Sequence, residues 1–104
     1  MCPIITVLKK IEEKPQMFLG SEINLKYLHF IIEGYIMSEE DNGKTESLML
    51  FERFKNYFNG IYGHVSYFAW YDVLRQKHES EQEAFDKFFE LFYDFLEKES
   101  AIQC

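Results

Sequence analysis

Basic clusters are nearly absent from this chain. Its 104 residues carry 11 Lys and Arg against 18 Asp and Glu, a formal net charge of −7, and the only basic doublet is Lys9-Lys10, close to Glu12 and Glu13. Direct binding of nucleic acid needs a positive patch that neutralises phosphates, so the charge balance speaks against it. Long apolar runs are missing as well. No segment approaches the roughly 20 residues that span a bilayer. Met1-Cys2-Pro3-Ile4 shows no basic region followed by a long apolar one. Neither a membrane span nor a signal peptide is therefore expected, and the expected location is cytoplasmic. Cysteine is reduced to Cys2 and Cys104. Without a disulfide framework, both read as free thiols of a reducing compartment. No Gly-rich phosphate loop, nucleophile elbow or HExxH motif is present.

Apolar residues supply 47% of the chain and aromatics 18%, with 11 Phe and 7 Tyr. That is enough to build one aromatic-rich core, and the length suits one domain over residues 1–104. The pattern predicts an all-α bundle of about five helices. The first runs from Pro3 to about Glu13, with Ile4, Val7, Leu8 and Ile11 as its apolar stripe, and Pro15 stops it. The second starts at Ser21, its expected N-cap, and reaches about Ser38. It is apolar nearly all round, the mark of a buried central helix. Gly34 inside it costs about 1 kcal/mol relative to Ala, for which close approach of a neighbouring helix would compensate. Ser38 to Lys44 reads as a loop, with Asn42-Gly43 as its turn. A third helix is expected from Thr45 to about Phe58, stopped by Asn59-Gly60, then an irregular stretch from Ile61 to Ser66. A fourth covers about Tyr67 to Lys77.

The fifth helix, Glu81 to about Lys98, has the sharpest pattern. Ser80 and Glu83 have capping-box spacing. Phe85, Phe88, Phe89, Phe92, Phe95 and Leu96 form one broad face, and with Leu28 and Ile32 they centre the expected core. Glu83, Asp86, Glu90, Asp94 and Glu97 line the opposite face within roughly 80° of arc. Like charges at these spacings each cost a few tenths of a kcal/mol. Such a one-sign ridge is either a solvated face or a docking surface for cations. Trp70 and Tyr71, followed by Arg75, have the residue types that dominate binding hot spots. They point about 100° apart on a helix, so at least one ring is expected near the surface. The acidic stretch Glu39, Glu40 and Asp41 is a further candidate contact.

Three histidines bear on catalysis. His64 sits in a Gly-flanked loop where a general base could act. His29 lies four residues before Glu33, a spacing that suits a hydrogen-bonded pair. None, His78 included, has metal-ligand spacing, and no cofactor or metal is expected. The chain is read as a non-enzyme.

The pattern Lys14-Pro15…Met17-Phe18-Leu19-Gly20, Leu28…Phe30-Ile31…Gly34-Tyr35, Trp70-Tyr71…Val73-Leu74-Arg75 and Glu83-Ala84-Phe85-Asp86…Phe88-Phe89-Glu90-Leu91…Phe95-Leu96 resembles a group of small helical bacterial immunity proteins. These are partners of polymorphic toxins, including those of contact-dependent growth inhibition systems. The resemblance spans most of the chain and is carried by core residues and turns. It implies a cytoplasmic, non-catalytic protein that neutralises a cognate protein toxin by covering its active site or substrate groove. A nuclease is the expected toxin class, because its groove is basic. The acidic ridge and Trp70 or Tyr71 would then contact it. Two other classes stand beside this one: a helical adaptor or regulatory protein, including a phage-encoded inhibitor, and a small enzyme using His64.

Overall fold

A computed structural model describes residues 2–63 and 69–99. These form six helices, α1 (Pro3–Glu13), α2 (Pro15–Leu19), α3 (Leu25–Asp41), α4 (Glu46–Tyr62), α5 (Trp70–Lys77) and α6 (Glu81–Lys98). The all-α bundle expected from the periodicity is present. The additional element is α2, a single turn. Pro15 ends α1 as expected, then opens α2 at its first helical position, where its missing N–H costs nothing.

Helix ends follow from local hydrogen bonding. Asn24, rather than Ser21, caps α3, its side chain accepting from the N–H groups of Lys26 and Tyr27. At its other end α3 runs through Asp41 into the segment expected to be loop. The N–H of Lys44 donates to Glu39 O and that of Gly43 to Glu40 O, each at 2.9 Å, with Gly43 at φ 76°. This is a Schellman closure, which needs a residue in the left-handed region. Helix α4 passes through the expected stop at Asn59-Gly60 to Tyr62. The buried Phe58 holds the Tyr62 ring at 4.6 Å, one turn on, so packing overrides the weak helix propensity of glycine. Gly63, at φ 84°, then takes the terminating position. Of the expected irregular stretch, Ile61 and Tyr62 are helical, and His64 to Ser66 lie outside the described residues, as do Tyr67 and Phe68 at the expected start of the fourth helix.

The core is aromatic. Phe54 of α4 meets Phe88, Phe92 and Phe95 of α6 edge-on, with centroids 5.5, 5.4 and 5.6 Å away, a favoured ring geometry. Leu28, Ile32, Phe85, Phe88, Phe89 and Phe92 are all buried, as the two apolar faces predicted. Helix α1 contributes Ile4, Leu8 and Ile11, and the Tyr93 hydroxyl of α6 donates to the Glu12 carboxylate across the gap. Burial first, then this bond, pushes the Tyr93 phenol above its usual range.

Three expectations are corrected. Helix α3 is not buried all round: Leu25, Leu28, Ile32 and Ile36 face the core, but Tyr27, Phe30 and Met37 are exposed. Among the described residues no neighbouring helix approaches Gly34, since nothing lies within 4 Å of where its Cβ would stand. Cys2 is not a free thiol either, because it is disulfide-bonded. Cys104 lies outside the described residues.

Candidate binding surface on α6 and its surroundings

Helix α6 begins where three helix ends meet. Ser80 Oγ accepts the Glu83 N–H at 3.1 Å, the forward half of the expected capping box. The Glu83 carboxylate reaches back one residue further than in that motif and accepts the Glu79 N–H at 3.0 Å. Glu81 divides its carboxylate between two elements. One oxygen meets Arg75 Nε of α5 at 3.2 Å, and the other accepts the Leu25 N–H at the start of α3 at 3.0 Å. Arg75 also donates to the His78 carbonyl at 2.9 Å. Periodicity could not reveal this junction, because its partners are 56 positions apart.

From this anchored start, Glu83, Asp86, Glu90, Asp94 and Glu97 run along the outer face, all five exposed. Their local partners thin out along the helix. Glu83 serves as a cap, Asp86 accepts from Gln82 Nε2 at 2.9 Å, and Glu90 meets Lys87 Nζ at 3.2 Å. Among the described residues no ion pair involves Asp94 or Glu97. Exposed pairs such as Lys87–Glu90 are worth little, so the face keeps its negative field. That field attracts cations without any conformational change.

The structure separates Trp70 from this ridge. Its ring is only 7% exposed and lies against Phe88 at 4.8 Å and Phe51 at 6.1 Å, on the buried side of α6. The expected surface anchor at Trp70 is thereby corrected, since a core ring cannot insert into a partner. Tyr71 is half-buried and covers His29, with centroids 4.6 Å apart.

His29 is not paired with Glu33 through a hydrogen bond. Glu33 meets Lys55 Nζ at 3.8 Å, while the buried His29 Nδ1 and Trp70 Nε1 have no hydrogen-bond partner among the described residues. Desolvation lowers the His29 pKa, outweighing the opposing charge of Glu33; Lys55 adds to the lowering and Asp72 opposes it. His64 lies outside the described residues. Among those described, no group of three or more His, Cys, Asp or Glu is arranged to hold a metal ion, and no helix is long and apolar enough to cross a membrane. In comparison with known proteins, no family model, no curated protein and no solved structure matches the chain.

Proposed function

We propose that this chain is an immunity protein that binds a cognate toxin domain, a basic nuclease, and blocks its active site or substrate groove. The observation carrying this reading is the exposed acidic face of α6, ending in Asp94 and Glu97, which have no ion pair among the described residues. A nuclease groove is built to hold phosphates, and a rigid row of carboxylates presents the same charge without the scissile bond. Tyr71, the half-exposed ring of α5, replaces Trp70 as the aromatic contact. The chain acts by occupancy, not by chemistry. The family resemblance favours a cytoplasmic placement, whereas a bonded Cys2 is what an oxidising compartment favours.

The test reverses the ridge. Glu90→Lys with Asp94→Lys changes two exposed side chains, so the melting temperature should hold. Affinity for the toxin domain encoded beside this chain should fall at least about tenfold, or about 1.4 kcal/mol, and cells expressing the toxin should lose protection. Association of the unaltered protein should slow with added salt, as screening shortens the reach of charge to about 8 Å at 0.15 M. Unchanged affinity in a folded variant removes the ridge from the mechanism. Failure to bind any neighbouring toxin product removes the immunity reading.

A further inference from the structure

Helix α3 carries an apolar face that no part of the described chain covers. Tyr27, Phe30 and Met37 are 53%, 55% and 63% exposed. With Gly34 they fall within roughly 80° of the helix circumference at 100° per residue. Exposed apolar residues scattered singly need no explanation, but a contiguous stripe marks an interaction surface. Gly34 sits mid-stripe with open space before it, at a cost of about 1 kcal/mol of helix stability. A glycine there lets a second backbone come close.

The charges along α3 indicate what covers the stripe. Its last turn holds Glu39, Glu40 and Asp41 and no base, the wrong sign for the negative end of a helix dipole. Its first turn holds Lys26 and no acid of its own; Glu81 accepts the Leu25 N–H there. Among the described residues no ion pair involves Lys26, Glu40 or Asp41. Each end of α3 therefore carries the charge that the opposite end needs.

We infer that a second copy of this chain docks on α3, the two helices antiparallel about a two-fold axis beside Gly34. At 1.5 Å per residue, Lys26 lies roughly 12 Å before Gly34, and Glu40 and Asp41 lie roughly 9 to 11 Å after it. An antiparallel two-fold brings the same flank of both helices together. Lys26 and Glu40 lie on one flank, with Asp41 beside the midline, so Lys26 of each copy meets the acidic end of the other. Glu33 faces its own counterpart near the axis, where its pairing with Lys55 at 3.8 Å removes the clash of like charges. Phe30 and Met37 of both copies close over the glycines. The contact is isologous, the same patch used twice, and closes as a dimer. It involves a different helix from the toxin-binding reading and does not depend on it.

Sedimentation equilibrium of the full chain tests this, with non-reducing gels to exclude a covalent dimer and circular dichroism to confirm folding. The unaltered chain should associate reversibly to a dimer. Gly34→Glu places two carboxylates at the axis without disturbing the protomer, and should raise the dissociation constant by at least about tenfold. Lys26→Glu should also weaken the dimer, and adding Glu40→Lys and Asp41→Lys to it should restore association. A chain monomeric at every concentration overturns the inference. So does a dimer indifferent to Gly34→Glu, which must use another face. A dimer weakened by Lys26→Glu but not restored by the reciprocal swap overturns the antiparallel arrangement.

Discussion

Helices α3 and α6 are nearly equal in length, 17 and 18 residues, and both bury a large apolar face, yet their outer faces are opposites. Helix α6 ends its apolar surface where the core ends and lines its outer face with five carboxylates. Helix α3 carries its apolar surface around to solvent at Tyr27, Phe30 and Met37. The inner faces obey the same packing constraint in both. The outer faces are free of it, and the two proposals rest on their contrast: α6 would meet a basic surface, and α3 the apolar stripe of a second copy.

The sharpest break between inner and outer residues should appear in stability. Phe88, fully buried between Trp70, Phe54 and Phe92, should cost about 3–5 kcal/mol when changed to Ala. Phe30→Ala should cost under about 0.5 kcal/mol in the dilute protomer. Denaturant titration of both variants measures the gap, and equal costs would erase the distinction drawn between the two faces.

Smaller effects come from the backbone of each helix. Ser80→Ala removes the cap on α6 and should cost about 1 kcal/mol. Gly34→Ala should move the other way, stabilising the dilute protomer by about 0.8–1.0 kcal/mol, because an added Cβ meets nothing. Thermal melts at low concentration read both, and a destabilised Gly34→Ala would mean that the space before Gly34 is occupied.

The smallest effect is a pH slope at His29, beneath Tyr71. Its folded pKa lies below its ordinary value of 6.5 because burial disfavours the cation. The stability this provides is complete above 6.5 and is lost as pH falls from there through the lowered folded value. Glu33 and Asp72 reduce the slope and Lys55 increases it. Melting midpoints between about pH 7.5 and 5.5 should fall less for His29→Gln than for the unaltered chain. Identical slopes would place the titration elsewhere.

The two helices also differ in how far they could be read beforehand. The boundaries of α6 and its buried Phe face were legible because strong local signals agreed: the Ser80 cap, the period of the aromatics and a mostly acidic opposite face. For α3, apolar residues on most sides suggested complete burial. Periodicity orients residues relative to each other but cannot say which sides have neighbours. The same gap misplaced Trp70, whose burial depends on α4 and α6 coming together around it. It also hid the role of Glu81, whose partners on α3 and α5 no local pattern announces. Cys2 was read from an assumed compartment, which does not settle whether a thiol is bonded.

The Glu81 junction also has a consequence for hydrogen exchange. The first amides of a helix lack an acceptor within it and ordinarily exchange as the end frays. The Leu25 amide instead has its acceptor in α6, at 3.0 Å, so its proton is released only when the starts of α3 and α6 part. Its protection factor therefore follows the opening of the corner where α3, α5 and α6 meet rather than the unwinding of one turn, and a single backbone site becomes a clock for that event.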